Sequence, residues 1–378
     1  MRFIHLSDLH IGKRISEYSM LEDQEYILGE IRNIIDQEKP DGIIIAGDLY
    51  DKTMPSSEAV SIVDNFLSWL CRRKLKVFIV SGNHDSPERI AYCSGILKSS
   101  NIYISPVYDG KITSVRLKDE YGELCVSLMP FLKPSYVRRW YPDENIESYT
   151  DAVKVALSHT ERDDSVRNII VAHQFVTGAS VCDSEEISVG GSENVDGYVF
   201  DGYDYVALGH LHGPQNVGKN TIRYCGTPLK YSFSEKDHKK SVTVVDIKEK
   251  GNVAYHTILL KPKYDLREIR GCFEELTSKE YYENTNTDDY LRIVLTDEQD
   301  IPDVSTKLRV IYPHYMKIAY DNARTRAEAA VGIHRSDRYR TETEIFSEFF
   351  EKVNGRPMSD EQAAFAADLF RKIKEGKR

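Results

Sequence analysis

Short apolar runs rich in isoleucine and valine recur along the first part of the chain, and polar residues follow each of them at once. Runs as uniformly apolar as these are typical of strands that are buried on both faces of a sheet. The runs that end in this way are Phe3–Leu6, Ile43–Ala46, Val77–Val80, Ile169–Ala172 and Tyr205–Leu208.

Between the first runs the apolar spacing becomes helical. Met20 to Glu38 carries apolar residues on one face and stops at Lys39-Pro40-Asp41-Gly42, a typical end of a helix. Pro55-Ser56-Ser57-Glu58 is a typical helix start, and the amphipathic run Val60 to Trp69 follows it. Strands that alternate with helices predict right-handed βαβ units and a largely parallel core.

Two β-rich stretches without intervening helices, Val115–Leu132 and Ile222–Ile247, predict a second sheet. The fold class is therefore α/β, a two-sheet sandwich flanked by helices. After about Leu260 the pattern changes to that of a small α+β unit. Its predicted elements are a helix over 264–276, a strand at 290–295, a helix at 304–308 and a strand formed by 310–312 and 316–318.

The C-terminal segment has the pattern of two short amphipathic helices with aromatic faces, one ending near Val353 and one starting at Ser359. They either pack on their own domain or dock onto a partner protein. The predicted domains are 1–260, a small domain at 261–335 and a helical segment at 336–378.

The composition is that of an ordinary soluble globular protein, with 41% hydrophobic and 29% charged residues in 378. No apolar stretch is long enough to span a membrane, and the first twenty residues lack the apolar centre of a signal peptide. The six cysteines show no CxxC pairing and are typical of reduced thiols. We therefore expect a cytoplasmic protein.

The net charge of −10 disfavours strong binding of duplex DNA by this chain alone, because such binding depends on neutralising phosphates. The basic residues are clustered locally. We expect a basic partner to share any contact with nucleic acid. The local clusters are Arg72-Arg73-Lys74, Arg138-Arg139, Lys230, Lys236 and Lys239-Lys240.

The polar residues after the strands are candidate metal ligands. In open α/β sheets ligands bind beyond the carboxyl ends of the strands, so these residues should meet at one edge. Each motif is a weak signal alone, but the same pattern repeated at every strand end is a strong one. The candidates, sufficient for two metal ions, are Asp8, His10, Asp48, Asn83, His173, His210 and His212.

The ordered set of these motifs resembles the calcineurin-like metallophosphoesterase family over residues 1–260, and the flanking sequences resemble its DNA nuclease branch. The motifs are Asp8-x-His10, Gly47-Asp48, Gly82-Asn83-His84-Asp85, His173 and Gly209-His210-x-His212. The resemblance implies a metallophosphoesterase sandwich with a capping domain that binds DNA, and a nuclease that acts on duplex ends, hairpins and single strands.

The resemblance also implies partners. These are a coiled-coil ATPase, bound by the C-terminal helices, and a second copy of the chain, so that a homodimer sits within a heterotetramer. The dimer would form through helices that follow the first strands, around Ile62, Phe66 and Trp69. The chain has no Gly-x-x-x-x-Gly-Lys loop, so ATP would be used by the partner.

By the same resemblance Asp48 bridges two ions. One ion takes Asp8, His10, Asp48 and His212, and the other takes Asp48, Asn83, His173 and His210. Imidazole mixed with carboxylate and amide oxygen suits Mn²⁺ better than Ca²⁺.

His84 is left without a ligand role, so we expect it to act on the substrate as a proton or hydrogen-bond donor. Asp85 is expected to orient the His84 ring, or else to stabilise the turn only.

Two other functions stay open. One is an adaptor that works through its C-terminal helices. The other is an enzyme that acts on small phosphodiesters or phosphomonoesters. A protein phosphatase is disfavoured because Lys52-Thr53 follow Asp51, where phosphatases of the family have Arg-Gly.

Overall fold

The computed structural model describes residues 1–183, 185, 193–326, 346–347, 350 and 357–374. Its contacts divide the chain into two units, Met1–Val294 with Pro302–Ala319, and Leu295–Ile301 with Tyr320–Arg378. The domain boundaries expected from sequence remain a prediction. None of the described helices combines the length and the apolar character needed to cross a bilayer.

The first unit begins with strands and helices in alternation, as the sequence predicts. Up to the first sheet edge the elements are β1 (Arg2–Leu6), β2 (Arg14–Ile15), β3 (Tyr18–Ser19), α1 (Leu21–Glu38), β4 (Gly42–Ala46), α2 (Ser57–Arg72), β5 (Lys76–Val80), α3 (Pro87–Ile90), α4 (Ser94–Leu97) and β6 (Ile102–Ile104). The Ser56 side chain accepts a hydrogen bond from the Ala59 N–H and so caps α2 where the sequence places its start.

Strands dominate the following stretch. Its elements are β7 (Thr113–Asp119), β8 (Gly122–Met129), α5 (Pro134–Arg138), α6 (Tyr149–Ser158), β9 (Arg167–His173), β10 (Tyr205–Gly209), β11 (Gln215–Val217), β12 (Lys219–Tyr224), β13 (Ser241–Ile247) and β14 (Val253–Leu259).

Two six-stranded sheets form a sandwich, with orders β14-β13-β1-β4-β5-β6 and β11-β12-β10-β9-β8-β7. Strands β1, β4 and β5 are parallel neighbours in the first sheet, and β8, β9 and β10 are parallel neighbours in the second. The expected second sheet is confirmed for 115–132 and for β12. The prediction was wrong for β13, which pairs antiparallel with β1 in the first sheet.

Three apolar layers hold the sandwich together. The layer between the sheets contains Phe3, Phe78, Val126 and Tyr205, all fully buried. A second layer lies between the first sheet and the helices α1 and α2, and a third covers the outer face of the second sheet. Strands buried on both faces explain why the runs are almost wholly apolar until they end, with the buried His5 of β1 as an exception.

The last elements form a small α+β unit. They are β15 (Leu266–Gly271), α7 (Phe273–Leu276), α8 (Lys279–Tyr282), β16 (Tyr290–Leu295), α9 (Val304–Ile311) and β17 (Tyr315–Tyr320). Helix α10 (Asp360–Lys374) lies in the second unit. The sheet order is β15-β16-β17.

Two predictions for this region were wrong. The expected helix over 264–276 is helical only in α7, because Leu266–Gly271 forms strand β15. This strand buries Leu266 and Ile269 and pairs in the sheet, so tertiary pairing overrides a spacing that a helix would also satisfy. Val310 and Ile311 end helix α9 rather than beginning a strand. The expected helix that ends near Val353 lies mostly outside the described residues, whereas α10 begins at Asp360, as expected from Ser359-Asp360-Glu361.

Candidate metal centre

The loops that follow the central strands meet at one edge of the sandwich. The loops after β1 and β4 run side by side, because the Asp8 N–H donates to the Gly47 carbonyl at 3.0 Å and the His10 N–H donates to the Asp48 carbonyl at 2.9 Å. From the second sheet, the His210 N–H donates to the Asp8 carboxylate at 3.0 Å. Backbone hydrogen bonds therefore join loops that lie far apart in sequence.

The backbone at this edge is strained. Asp8, His10 and Asp48 adopt φ values of 51°, 45° and 48°. His210 has a φ of 108°. Such values are uncommon for residues with a Cβ and persist only where the surroundings enforce them, typically at functional sites.

Three glycines allow the loops to approach so closely. A Cβ on Gly82 would lie 2.1 Å from Asp48 Oδ1, and one on Gly209 would lie 1.8 Å from the Ala46 carbonyl oxygen. A Cβ on Gly47 would lie 2.2 Å from His173 Nδ1. Any side chain at these positions would displace a candidate ligand or the strand end that supports it.

The first group of donors contains Asp8, His10 and His212. Their donor atoms lie within 4.8 Å of one another and all are buried. The two Nε2 atoms of His10 and His212 are 3.2 Å apart. Nitrogens aimed at each other in this way match two imidazoles that share a cation.

The second group is centred on Asn83. Its Oδ1 lies 3.0 Å from His173 Nε2 and 3.0 Å from His210 Nδ1. His173 Nδ1 lies 2.9 Å from the Ala46 carbonyl oxygen and donates its proton there. The Nε2 of His173 is thereby the atom directed toward the centre, which is the usual arrangement of a metal-binding histidine.

Asp48 lies between the groups. Its Oδ2 is 3.7 Å from His10 Nε2 and 3.3 Å from His173 Nε2. The same carboxylate accepts a hydrogen bond at Oδ1 from the His84 N–H at 2.9 Å. One residue therefore faces both donor groups.

Burial and charge shift the ionisation of these side chains. Burial raises the pKa of Asp8 to about 6 and lowers the pKa of His210 to about 3. Burial also opposes charge on Asp48 and His173, but their mutual attraction outweighs it. The pKa of Asp48 is held well below its usual range and the pKa of His173 is raised to about 9. Two buried carboxylates at this edge thus favour a neighbouring positive charge.

The donors fit divalent metal ions. They combine carboxylate, amide oxygen and imidazole, a set that suits borderline cations. Two buried nitrogens, His10 Nδ1 and His210 Nε2, have no hydrogen-bond partner among the residues that the structure describes. All seven candidates from the sequence are at this edge. Their roles as ligands remain a prediction.

His84 and Asp85 both contact the backbone of the loop that follows β4. His84 Nδ1 lies 3.1 Å from the Asp51 carbonyl oxygen, which can orient the ring. Asp85 accepts hydrogen bonds from the backbone N–H groups of Leu49 at 3.1 Å, Tyr50 at 3.0 Å and Gly82 at 3.0 Å. Both oxygens of Asp85 thus hold the turns, and its expected role in orienting the His84 ring remains a prediction. Burial raises the pKa of Asp85 to about 6.

Sequence reasoning missed the group that supports His212. Glu235 is fully buried, and its Oε1 lies 3.3 Å from His212 Nδ1. The Lys240 ammonium pairs with the same carboxylate at 2.5 Å and is itself buried. Lys240 is therefore unavailable to DNA, although it belongs to a basic cluster of the sequence. The only sequence signal was Ser232-Phe233-Ser234-Glu235, a motif of modest specificity.

Comparisons with known proteins identify the class. Residues 1–214 match the family model for calcineurin-like phosphoesterases, and residues 262–354 match the model described as a type 5 capsule protein repressor C-terminal domain. The chain belongs to the calcineurin-like phosphoesterase family, whose members are metal-dependent hydrolases.

A curated relative indicates the branch of the family to which the chain belongs. The chain is 33% identical to the SbcD subunit of the nuclease SbcCD from Staphylococcus epidermidis over 323 residues, which covers 84% of this chain and 85% of the relative. The chain therefore belongs to the SbcD-like branch of metallophosphoesterase nucleases.

Two solved structures are also similar, although the family assignment does not depend on them. A dimetal phosphatase from Danio rerio aligns with a TM-score of 0.40 at 12% identity, over 69% of this chain and 99% of that one. A protein from Thermus thermophilus aligns with a TM-score of 0.37 at 12% identity, over 68% of this chain and 98% of that one.

Proposed function

We propose that the chain is a metal-dependent DNA nuclease that hydrolyses phosphodiester bonds as an exonuclease on duplex ends and as an endonuclease on single strands and hairpins. Acting with an SbcC-like ATPase in the cytoplasm, it would serve DNA end processing in replication, repair and recombination. The observation that carries the chemistry is the position of Asp48, whose Oδ2 faces His10 at 3.7 Å and His173 at 3.3 Å.

In this proposal Asp48 bridges two divalent ions, with Mn²⁺ the favoured metal because of the mixed nitrogen and oxygen donors. Asp8, His10 and His212 complete one site. Asn83, His173 and His210 complete the other. When bound, such a pair of ions supplies Lewis-acid activation of water and neutralises charge on the phosphate.

The protein's own residues position and protonate the substrate. His84 lies beside the first group, with its ring centre 4.9 Å from that of His10. Its Nδ1 faces the Asp51 carbonyl at 3.1 Å, so this contact can hold the ring beside the first group. His84 would donate a proton or hydrogen bond to the phosphate as the bond to the leaving oxygen breaks.

DNA is the favoured substrate because the curated relative is named a nuclease. A basic residue near the proposed metal centre also supports a substrate that carries phosphates. Arg139 lines a cleft that opens beside Asn83. Lys230 and Lys236, in contrast, pair with the carboxylates of Asp265 and Glu268. With a net charge of −10, the chain would need a partner to hold a duplex firmly.

The C-terminal segment supports docking of the ATPase. Within the second unit, Phe346, Phe350, Phe365, Leu369 and Phe370 line an apolar groove of about 380 Å³. Phe365 is 71% exposed. An exposed apolar groove of helices is a typical receptor for a partner helix. The groove would receive the coiled coil of an SbcC-like ATPase.

The homodimer is proposed from the family resemblance, but one of the three residues expected at its interface is removed from it. Phe66 is 1% exposed and belongs to the core beneath α2, so it is excluded from an interface. Ile62 and Trp69 are only partly buried. The Arg73 guanidinium stacks on the Trp69 ring at 3.5 Å and leaves a mixed apolar and basic surface there.

The test is cleavage by the isolated chain in Mn²⁺ of three labelled DNAs: a blunt duplex, a hairpin and a single strand. Each is measured with and without the ATPase partner and ATP. A chromogenic phosphomonoester and a small phosphodiester are assayed in parallel. Rapid turnover of either small substrate with all three DNAs intact would overturn the nuclease proposal in favour of an enzyme for small phosphoesters.

A further inference from the structure

A cleft of about 780 Å³ opens beside the metal centre. Asn83 and Asp85 line it, together with Arg89, Tyr136 and Trp140. Its volume is that of a pocket for a small ligand, so it can take one or two unpaired nucleotides but not a duplex. We propose that this aromatic cleft binds the bases next to the bond that is cut. The inference rests on the proposed nuclease function.

The aromatic side chains are placed as stacking surfaces. Trp140 is 48% exposed and Tyr136 is 46% exposed, although both are large apolar rings. A Cβ on Gly110 would lie 3.3 Å from the Trp140 ring, so the ring rests directly on the backbone of Gly110. The ring is thus supported while half of its surface stays open. Supported, half-exposed rings bind successive bases of single strands by stacking, with little dependence on sequence.

The charge of the cleft suits a phosphate backbone. Arg89 and Arg139 line it and are exposed, and neither has an ion-pair partner among the described residues. Arg73 and Arg167, in contrast, pair with Asp36 and Asp119. Guanidinium groups without a carboxylate partner are suited to phosphate oxygens. The acidic residues of the cleft are Asp85, whose oxygens accept backbone hydrogen bonds, Glu88, which accepts a hydrogen bond from the Ser86 hydroxyl at 2.9 Å, and Asp109.

The cleft is continuous with the metal centre. Phe131 lines the cleft, and its ring centre lies 6.2 Å from that of His173 and 6.3 Å from that of His210. Asn83 belongs to both the cleft and the second donor group. A strand whose bases occupy the cleft would therefore have its adjacent phosphate next to Asn83. This places Trp140 and Tyr136 as positioning residues for unpaired DNA.

The experiment is a double-mutant cycle that combines a change at Trp140 with the removal of a single base from the DNA. Single-stranded oligonucleotides with one abasic nucleotide at successive positions around a fixed cleavage site are cleaved by the wild-type protein, Trp140→Ala and Trp140→Phe. Tyr198→Ala, a change at a tyrosine that is 57% exposed outside the cleft, is the matched control. Manganese binding is titrated for each variant.

We expect Trp140→Ala to raise the KM for intact single strands about tenfold, the scale of one stacked base. One abasic position should raise the KM of the wild type by a similar factor. The same position should not raise the KM of Trp140→Ala any further. Trp140→Phe should restore the low KM, which separates stacking from misfolding.

An unchanged KM in Trp140→Ala, or equal abasic losses in both proteins, would overturn the inference while leaving the nuclease proposal intact. Failure of the wild type to cleave any DNA would overturn both.

Discussion

His173 Nδ1 lies 2.9 Å from the carbonyl oxygen of Ala46 and so joins the end of β9 in one sheet to the end of β4 in the other. In the neutral imidazole this hydrogen bond keeps the proton on Nδ1. It turns Nε2 toward Asn83 at 3.0 Å and Asp48 at 3.3 Å. One contact thus holds the two sheets together and orients a candidate ligand, so changes near it should affect both stability and metal binding.

The metal-free protein should lose stability as the pH rises from 6.5 to about 9. The pKa of His173 is raised from 6.5 to about 9 because Asp48 outweighs the effect of burial. A raised pKa contributes stability that is complete below pH 6.5 and is lost as the pH passes the folded value. Thermal unfolding in EDTA across this range tests the prediction.

The control for this pH dependence is His256→Gln, a change at a half-exposed histidine. This variant should still lose stability as the pH rises. His173→Gln should flatten it. A decline of the same size in His173→Gln would assign the effect to other groups. Saturation with Mn²⁺ should also remove it, because metal binding replaces the proton on Nε2.

His84→Ala should retain two manganese ions and lose about 10²- to 10⁴-fold in the rate of phosphodiester hydrolysis, the usual contribution of a positioned acid or base. The structure provides other ligands for both groups, so the metal content should not depend on this ring. Single-turnover cleavage and a manganese titration of the same preparation measure the two effects. A parallel loss of metal and rate would show that His84 is a ligand and not a proton donor.

Gly82→Ala should reduce the rate of hydrolysis about 100-fold or more, because a Cβ there would displace Asp48 Oδ1, now 2.1 Å from its position. Manganese affinity should fall with it. Gly95→Ala is the matched control, since a Cβ at Gly95 would have no neighbour within 4 Å. Activity and metal binding that survive in Gly82→Ala would mean that the loop yields and that Asp48 needs no fixed position.

Glu235→Gln should destabilise the fold by about 3–5 kcal/mol, because it leaves the buried Lys240 ammonium without its carboxylate. It should also weaken manganese binding about 10- to 100-fold through the loss of support for His212. Chemical denaturation and metal titration measure the two effects separately.

The double change Glu235→Gln with Lys240→Met separates these roles. It removes the unpaired charge and should recover most of the stability, while metal binding stays weak. Recovery of both properties together would mean that Glu235 only neutralises Lys240 and does not position His212.

Much of the first unit was predictable from sequence because its strands are buried on both faces. Such strands need nearly continuous apolar residues, so their ends are visible where several polar residues follow one another. The parallel strands, α1 and α2 followed from this pattern and from capping signals such as Ser56. β13 was placed in the wrong sheet because an apolar run does not specify its partner.

The sequence by itself determined which residues can bind metal, because their chemistry and their position after each strand are local properties of the chain. Only the tertiary structure decided how they are used. Asp85 holds backbone N–H groups, Asp51 supplies the carbonyl that faces His84, and Glu235 supports His212. These relationships join residues from separate loops, and contacts of that kind depend on how two sheets pack rather than on any spacing along the chain.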